Sequence, residues 1–143
     1  MIDLEALDEL YQDVENRYKN LDDGDLSGAL SLMKDSSGLI PSYERLSADY
    51  QKECAIQERR AKALQAQISC EKSSSVAKGD REAIFDEAVV TQWKTVAECQ
   101  KVVRYLDASA KFLNRVYFDA KMIVEHIYKK ELPPGRDKML GGR

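Results

Sequence analysis

From Asp80 to Leu132 the chain contains neither glycine nor proline, and a stretch of that length without a backbone breaker favours helix over every alternative. Within it Val96, Cys99, Val103, Leu106, Ala110, Leu113, Tyr117, Ala120, Val124 and Ile127 alternate at intervals of three and four without interruption. This is the heptad spacing that runs one apolar seam along a helix. A second line, Val102, Val116 and Ile123, follows beside it at multiples of seven, so the stripe is wider than a two-stranded coil buries and the helix is expected to face more than one neighbour. A 143-residue chain offers only two other helices of real length. A homo-oligomer of more than two chains is therefore expected, with Val103, Leu106, Leu113, Tyr117, Val124 and Ile127 as its contact residues. Thr95 and Glu98 have the spacing of a capping box, which predicts a bend, with a short helix of about residues 80–90 leading into the main one. Lys129 and Lys130 complement the negative C-terminal end, Pro133, Pro134 and Gly135 stop the helix, and residues 133–143 read as a flexible tail.

The N-terminal segment repeats the same spacing through Leu4, Leu7, Tyr11, Val14, Tyr18 and Leu21, which predicts an amphipathic helix within residues 1–25. Asp3, Glu5, Asp8 and Glu9 lie where negative charge suits a helix start. Residues 26–41 read as a short helix around Leu26, Leu30 and Met33 followed by a linker, Lys34 to Gly38. Pro41 then suits the first turn of a second long helix, which continues to about Lys72. Its buried side is traced through Tyr43, Leu46, Tyr50, Cys54, Ala61, Leu64 and Ile68, with Gln57 interrupting the line. Ser69 to Gly79 reads as a serine-rich loop. The fold class is thus all-α: a helical hairpin or bundle protomer, with residues 42–132 as its core and one long heptad-patterned C-terminal helix.

Seven glycines, three prolines and 43% apolar residues suit such a bundle. Three widely spaced cysteines, Cys54, Cys70 and Cys99, indicate neither a disulfide framework nor a zinc site; they read as packing residues in a reducing cytoplasm. No run approaches the length of a bilayer span, and no secretory signal is expected. No cofactor or metal is expected, and no nucleophile, base or carboxylate pair stands in a catalytic pattern. His126, the only histidine, adjoins the seam residues Val124 and Ile127 and reads as structural.

Charge is unevenly spread. Residues 1–25 carry nine acids against Arg17 and Lys19, a balance of −7, so a net charge of −3 leaves +4 for the remainder. On the second long helix Arg45, Lys52 and Arg59 recur every seven residues, with Arg60 and Lys62 alongside. Such a basic ridge can neutralise nucleic-acid phosphates. Lys94, Lys101, Arg104, Lys111, Arg115 and Lys121 extend positive charge along the last helix, and Trp93, Tyr105, Phe112, Phe118 and Tyr128 fall outside its seam, where rings can stack on bases.

The order of features resembles the UvsY-type recombination mediators of T-even and related bacteriophages, whose C-terminal helix carries a motif close to R-G-F-x-I-K-x-x-I-E. The corresponding stretch here is Phe118 to Glu125, with Lys121, Val124 and Glu125 in register, Tyr117 in place of the glycine and Arg115 displaced by one position. Gln57 to Leu64, with Glu58, Arg59, Arg60 and Lys62, is similar to the family's single-strand-binding segment. The resemblance spans about residues 42–131. It implies an oligomer in the host-cell cytoplasm that binds single-stranded DNA, helps displace the single-strand-binding protein and loads a recombinase. Composition alone favours a different reading, an oligomeric coiled-coil adaptor, inhibitor or assembly scaffold acting through protein contacts only.

Overall fold

The computed structural model describes residues 3–131. Among these the chain is helical, with four helices and no strand: α1 (Leu4–Lys19), α2 (Leu26–Lys72), α3 (Val76–Ile84) and α4 (Glu87–Glu131). Expectations for Pro133, Pro134, Gly135 and the tail lie outside the described residues. Two compact units are built from these helices, one from residues up to 43 together with those from 109 onward, the other from residues 44–108.

The first unit is a three-helix assembly. Asp3 caps α1 by accepting the Glu5 amide at 3.0 Å, and Asp25 caps α2 by accepting the Gly28 amide at 2.8 Å, so both helices start on a carboxylate that satisfies a free N–H. Tyr11 of α1 lies against Tyr43 of α2 and Phe112 of α4, with ring centroids 5.9 and 5.5 Å apart. Leu7, Val14, Leu32, Leu39, Tyr43, Leu113 and Val116 fill the core. The Tyr43 hydroxyl, inside that core, donates to the Leu7 carbonyl at 3.3 Å. Tyr18 donates to Asp119 at 2.5 Å, a bond between α1 and α4.

The expected linker at Lys34 to Gly38 is helix instead, and Pro41 lies inside α2 rather than at a helix start. Three features override the local signals. Ser36 is buried and returns its hydroxyl to the Leu32 carbonyl at 2.6 Å, while Ser37 donates to Lys34 at 3.0 Å; both satisfy their polar groups within the helix. Asp35 receives Arg17 of α1 at 2.6 Å. Leu39 and Tyr43 are buried on either side of Pro41, and their packing offsets the amide bond to Ser37 that proline cannot make. Pro41 and Ser37 are exposed, so the defect faces water.

In the second unit the expected serine-rich loop shrinks to Ser73–Ser75, because α2 continues to Lys72 and α3 begins at Val76. Ser69 is buried and donates to Asp80 at 2.6 Å, which fastens α3 to the end of α2. The chain breaks once between residues 80 and 131, at Phe85–Asp86, upstream of the expected bend. Asp86 accepts the Ala88 amide at 3.0 Å and is the cap of α4. Thr95 caps nothing: it lies inside α4 and donates to the Thr91 carbonyl at 3.3 Å. Ile68, Ala83 and Val89 form the core here, with Leu64 and Trp93 packed against it.

Candidate nucleic-acid interface

At 3.6 residues per turn, Arg45, Lys52 and Arg59 follow one line along α2 that drifts by roughly 20° per heptad. The buried residues Ser47, Ala61 and Ile68 fall roughly 140–180° around the helix from that line. The ridge therefore points away from the core of its unit. Arg45, Lys52, Arg59, Arg60 and Lys62 are all exposed.

Two of the acids that the sequence interleaves with these cations are engaged. Glu58 pairs with Lys62 at 2.8 Å, and Glu53 accepts from Gln57 at 2.6 Å. Among the described residues Arg45, Lys52, Arg59 and Arg60 have no ion-pair partner. Ile56, 43% exposed, lies beside that line between Lys52 and Arg59. Sequence reasoning passed over it, although its spacing of four from Lys52 and three from Arg59 would have found it. Gln57, the polar interruption of the buried side, accepts at its side-chain oxygen from Gln92 of α4 at 2.9 Å.

Lys94, Lys101 and Arg104 of α4 are exposed in the same unit. Lys111 and Arg115 are exposed in the first unit, where Lys121 is half-buried. The aromatic residues divide into two groups. Trp93 packs on the core and its indole N–H donates to Gln65 at 3.1 Å, and Phe112 is enclosed by Tyr11 and Tyr18; neither is placed to stack on a base. Tyr105, Phe118 and Tyr128 are exposed. Phe85, 85% exposed at the break before α4, was hidden in the sequence inside an expected helix.

Of the expected oligomer contacts, Leu106 and Leu113 are fully buried within their own units and are not available to another chain. The wide stripe of α4 is met in the first unit by α1 and α2 of the same chain, which removes the reason for invoking other copies there. Val103, Tyr117, Val124 and Ile127 are half-buried. In the stretch that carries the family motif, Phe118 and Met122 are exposed one turn apart, Met122 at 68%.

His126 is exposed and shares a surface hollow with Asp23, Gly24, Ile127 and Lys130, with no nucleophile among them. Among the described residues no three His, Cys, Asp or Glu side chains gather into a metal-ligating group, and no helix is long and apolar enough to cross a membrane. Comparison with known protein families, with curated proteins and with solved structures found no match.

Proposed function

We propose that this protein binds single-stranded DNA through the exposed ridge of α2 and acts as a recombination mediator, assembling in several copies and helping to load a recombinase. The observation that supports the DNA-binding part is a set of four exposed cations without ion-pair partners among the described residues, Arg45, Lys52 and Arg59 on the side of α2 opposite its core and Arg60 on its flank. Charges already paired within the protein lose that pairing when they meet phosphate; unpaired ones release counterions instead. The ridge carries no aromatic ring, so its contacts are with the phosphate backbone and independent of base identity.

The test is fluorescence anisotropy with a labelled single strand, against a duplex of equal length, at two salt concentrations. The expected outcome is a preference for the single strand that weakens steeply with salt. Arg59→Glu combined with Arg60→Glu should abolish binding while helicity and assembly state stay unchanged. Arg45→Ala should flatten the salt slope by about 0.7. A wild-type chain that ignores the oligonucleotide at low salt overturns the reading. Phe118 and Met122 favour a second one, an adaptor acting through protein contacts alone, since exposed apolar residues one turn apart suit a partner helix. An adaptor would be indifferent to the arginine substitutions.

A further inference from the structure

Two thiols that read as packing residues stand on two helices of the unit of residues 44–108. Cys54 on α2 and Cys99 on α4 are both half-buried. The Cys99 thiol donates to the Tyr50 carbonyl at 3.6 Å. Tyr50 is one turn before Cys54, and helical side chains lean toward the N-terminus, so the Cys54 side chain lies over that same turn. Both cysteines are therefore neighbours of the Tyr50 carbonyl. Burial first, then Cys54 and the Glu53 carboxylate, push the Cys99 thiol up to about 11. Cys54 lines an open groove of about 340 Å³ with Gln51, Glu58, Gln100 and Arg104, whereas Cys99 does not. The third cysteine, Cys70, is exposed near the end of α2.

We propose that Cys54 and Cys99 form a peroxide-sensitive dithiol site that closes to a disulfide joining α2 to α4 within one chain. The Cys54 thiolate, reached through the groove, attacks one oxygen of hydrogen peroxide. An S–O bond forms, the O–O bond breaks, and the departing hydroxide takes a proton to become water. Cys99 then attacks the sulfenic sulfur of Cys54; the S–S bond forms, the S–O bond breaks, and the hydroxyl leaves with the Cys99 proton as a second water. The two sulfurs together give up the two electrons that the peroxide accepts. Cys54 lines the groove through which peroxide arrives, so Cys99, which does not line it, is the resolving partner. The bond closes the chain segment that carries Arg59, Arg60, Lys62 and α3 into a covalent loop, which restricts the unfolded chain and stabilises the oxidised form.

The experiment uses the full chain with Cys70→Ser, a substitution at an exposed position. The protein is treated with hydrogen peroxide, blocked with iodoacetamide, and digested with trypsin without reduction. The expected product is one linked pair of peptides, residues 53–59 joined to residues 95–101, lighter by two hydrogens than the sum of the free peptides. Dithiothreitol should release it, Cys54→Ser should prevent it, and the oxidised chain should melt at a higher temperature than the reduced one. Two thiols that remain open to alkylation overturn the proposal. So does a Cys54 that proceeds to sulfinic acid without linking, or that links only between chains.

Discussion

The two units are held together by different means. The unit containing α1 is filled by large apolar side chains: Leu7, Val14, Leu32, Tyr43, Leu113 and Val116 are almost or wholly removed from solvent, and three helices contribute them. In the unit of residues 44–108 the buried set is Ala61, Ile68, Ala83, Val89, Val96 and Leu106, with Ser47 and Ser69 buried beside them. Its elements also meet through polar pairs. Ser47 donates to Asp107 at 2.5 Å, Ser69 to Asp80 at 2.6 Å, Gln92 to Gln57 at 2.9 Å and Trp93 to Gln65 at 3.1 Å. A buried Leu or Val contributes about 1.5–3 kcal/mol, whereas an ordinary hydrogen bond nets about 1 kcal/mol. The unit that carries the basic ridge is thus the one expected to open first.

The largest effect that separates the units comes from truncating their cores. Leu113→Ala should cost about 4 kcal/mol, toward the upper end for a leucine with no exposure, and Ile68→Ala about 2 kcal/mol, since that site is 9% exposed. Urea denaturation reads both. Equal costs would break the comparison, because they would mean that residues 44–108 hold a core as tight as that of the three-helix unit.

Glycine gives a smaller effect whose sign differs between the units. A Cβ on Gly79 of α3 would lie too close to the Ser69 backbone oxygen and to the Ser69 hydroxyl. Gly79→Ala should therefore push α3 away from α2 and destabilise by about 1–3 kcal/mol. Hydrogen exchange should show the loss concentrated at α3. At Gly38, within α2, a Cβ meets nothing within 4 Å. Gly38→Ala should stabilise by about 0.5–1 kcal/mol, the ordinary gain in a helix interior. A loss at Gly38 would show that the helix needs glycine there for a reason other than room.

What could be read in the sequence follows the same division. The seam of α4 was legible because Leu106, Ala110, Leu113 and Ala120 are repeated by the heptad rule and are buried. The continuity of α2 was not, because Gly38, Pro41 and the serines around them signal a break locally, while Leu39 and Tyr43 hold the helix by contacts with residues far away in the chain. Asp86 was a readable cap, an acid directly before Glu87 and an apolar run, but the Thr95 and Glu98 spacing competed with it. The ridge was legible from its seven-residue period. The lack of ion pairs at Arg45, Lys52, Arg59 and Arg60 was not, since Glu58 and Glu53 are engaged instead by Lys62 and Gln57. Cys54 and Cys99 stand on different helices, and only the packing of α2 on α4 brings them together.

The smallest effect is a loss of stability in alkali, with one contribution from each unit. In the three-helix unit the Tyr18 hydroxyl is raised above its ordinary 10.0, chiefly by the bond it donates to Asp119 and then by burial. In the other unit Cys99 is raised from 9.0 to about 11 by burial and then by Cys54. Both groups hold their proton more tightly folded than unfolded. Between the ordinary and the raised value the unfolded chain has released a proton that the native chain retains, so stability falls as pH rises. Cys99 supplies this loss between pH 9 and about 11, and Tyr18 adds to it above pH 10. Urea midpoints across that range should decline in the wild type. Cys99→Ala should remove the earlier part of the decline, and Tyr18→Phe the later part, after an initial cost of about 1 kcal/mol for the hydrogen bond. A Cys99→Ala chain that declines as steeply as the wild type just above pH 9 would place the alkaline sensitivity in the three-helix unit alone.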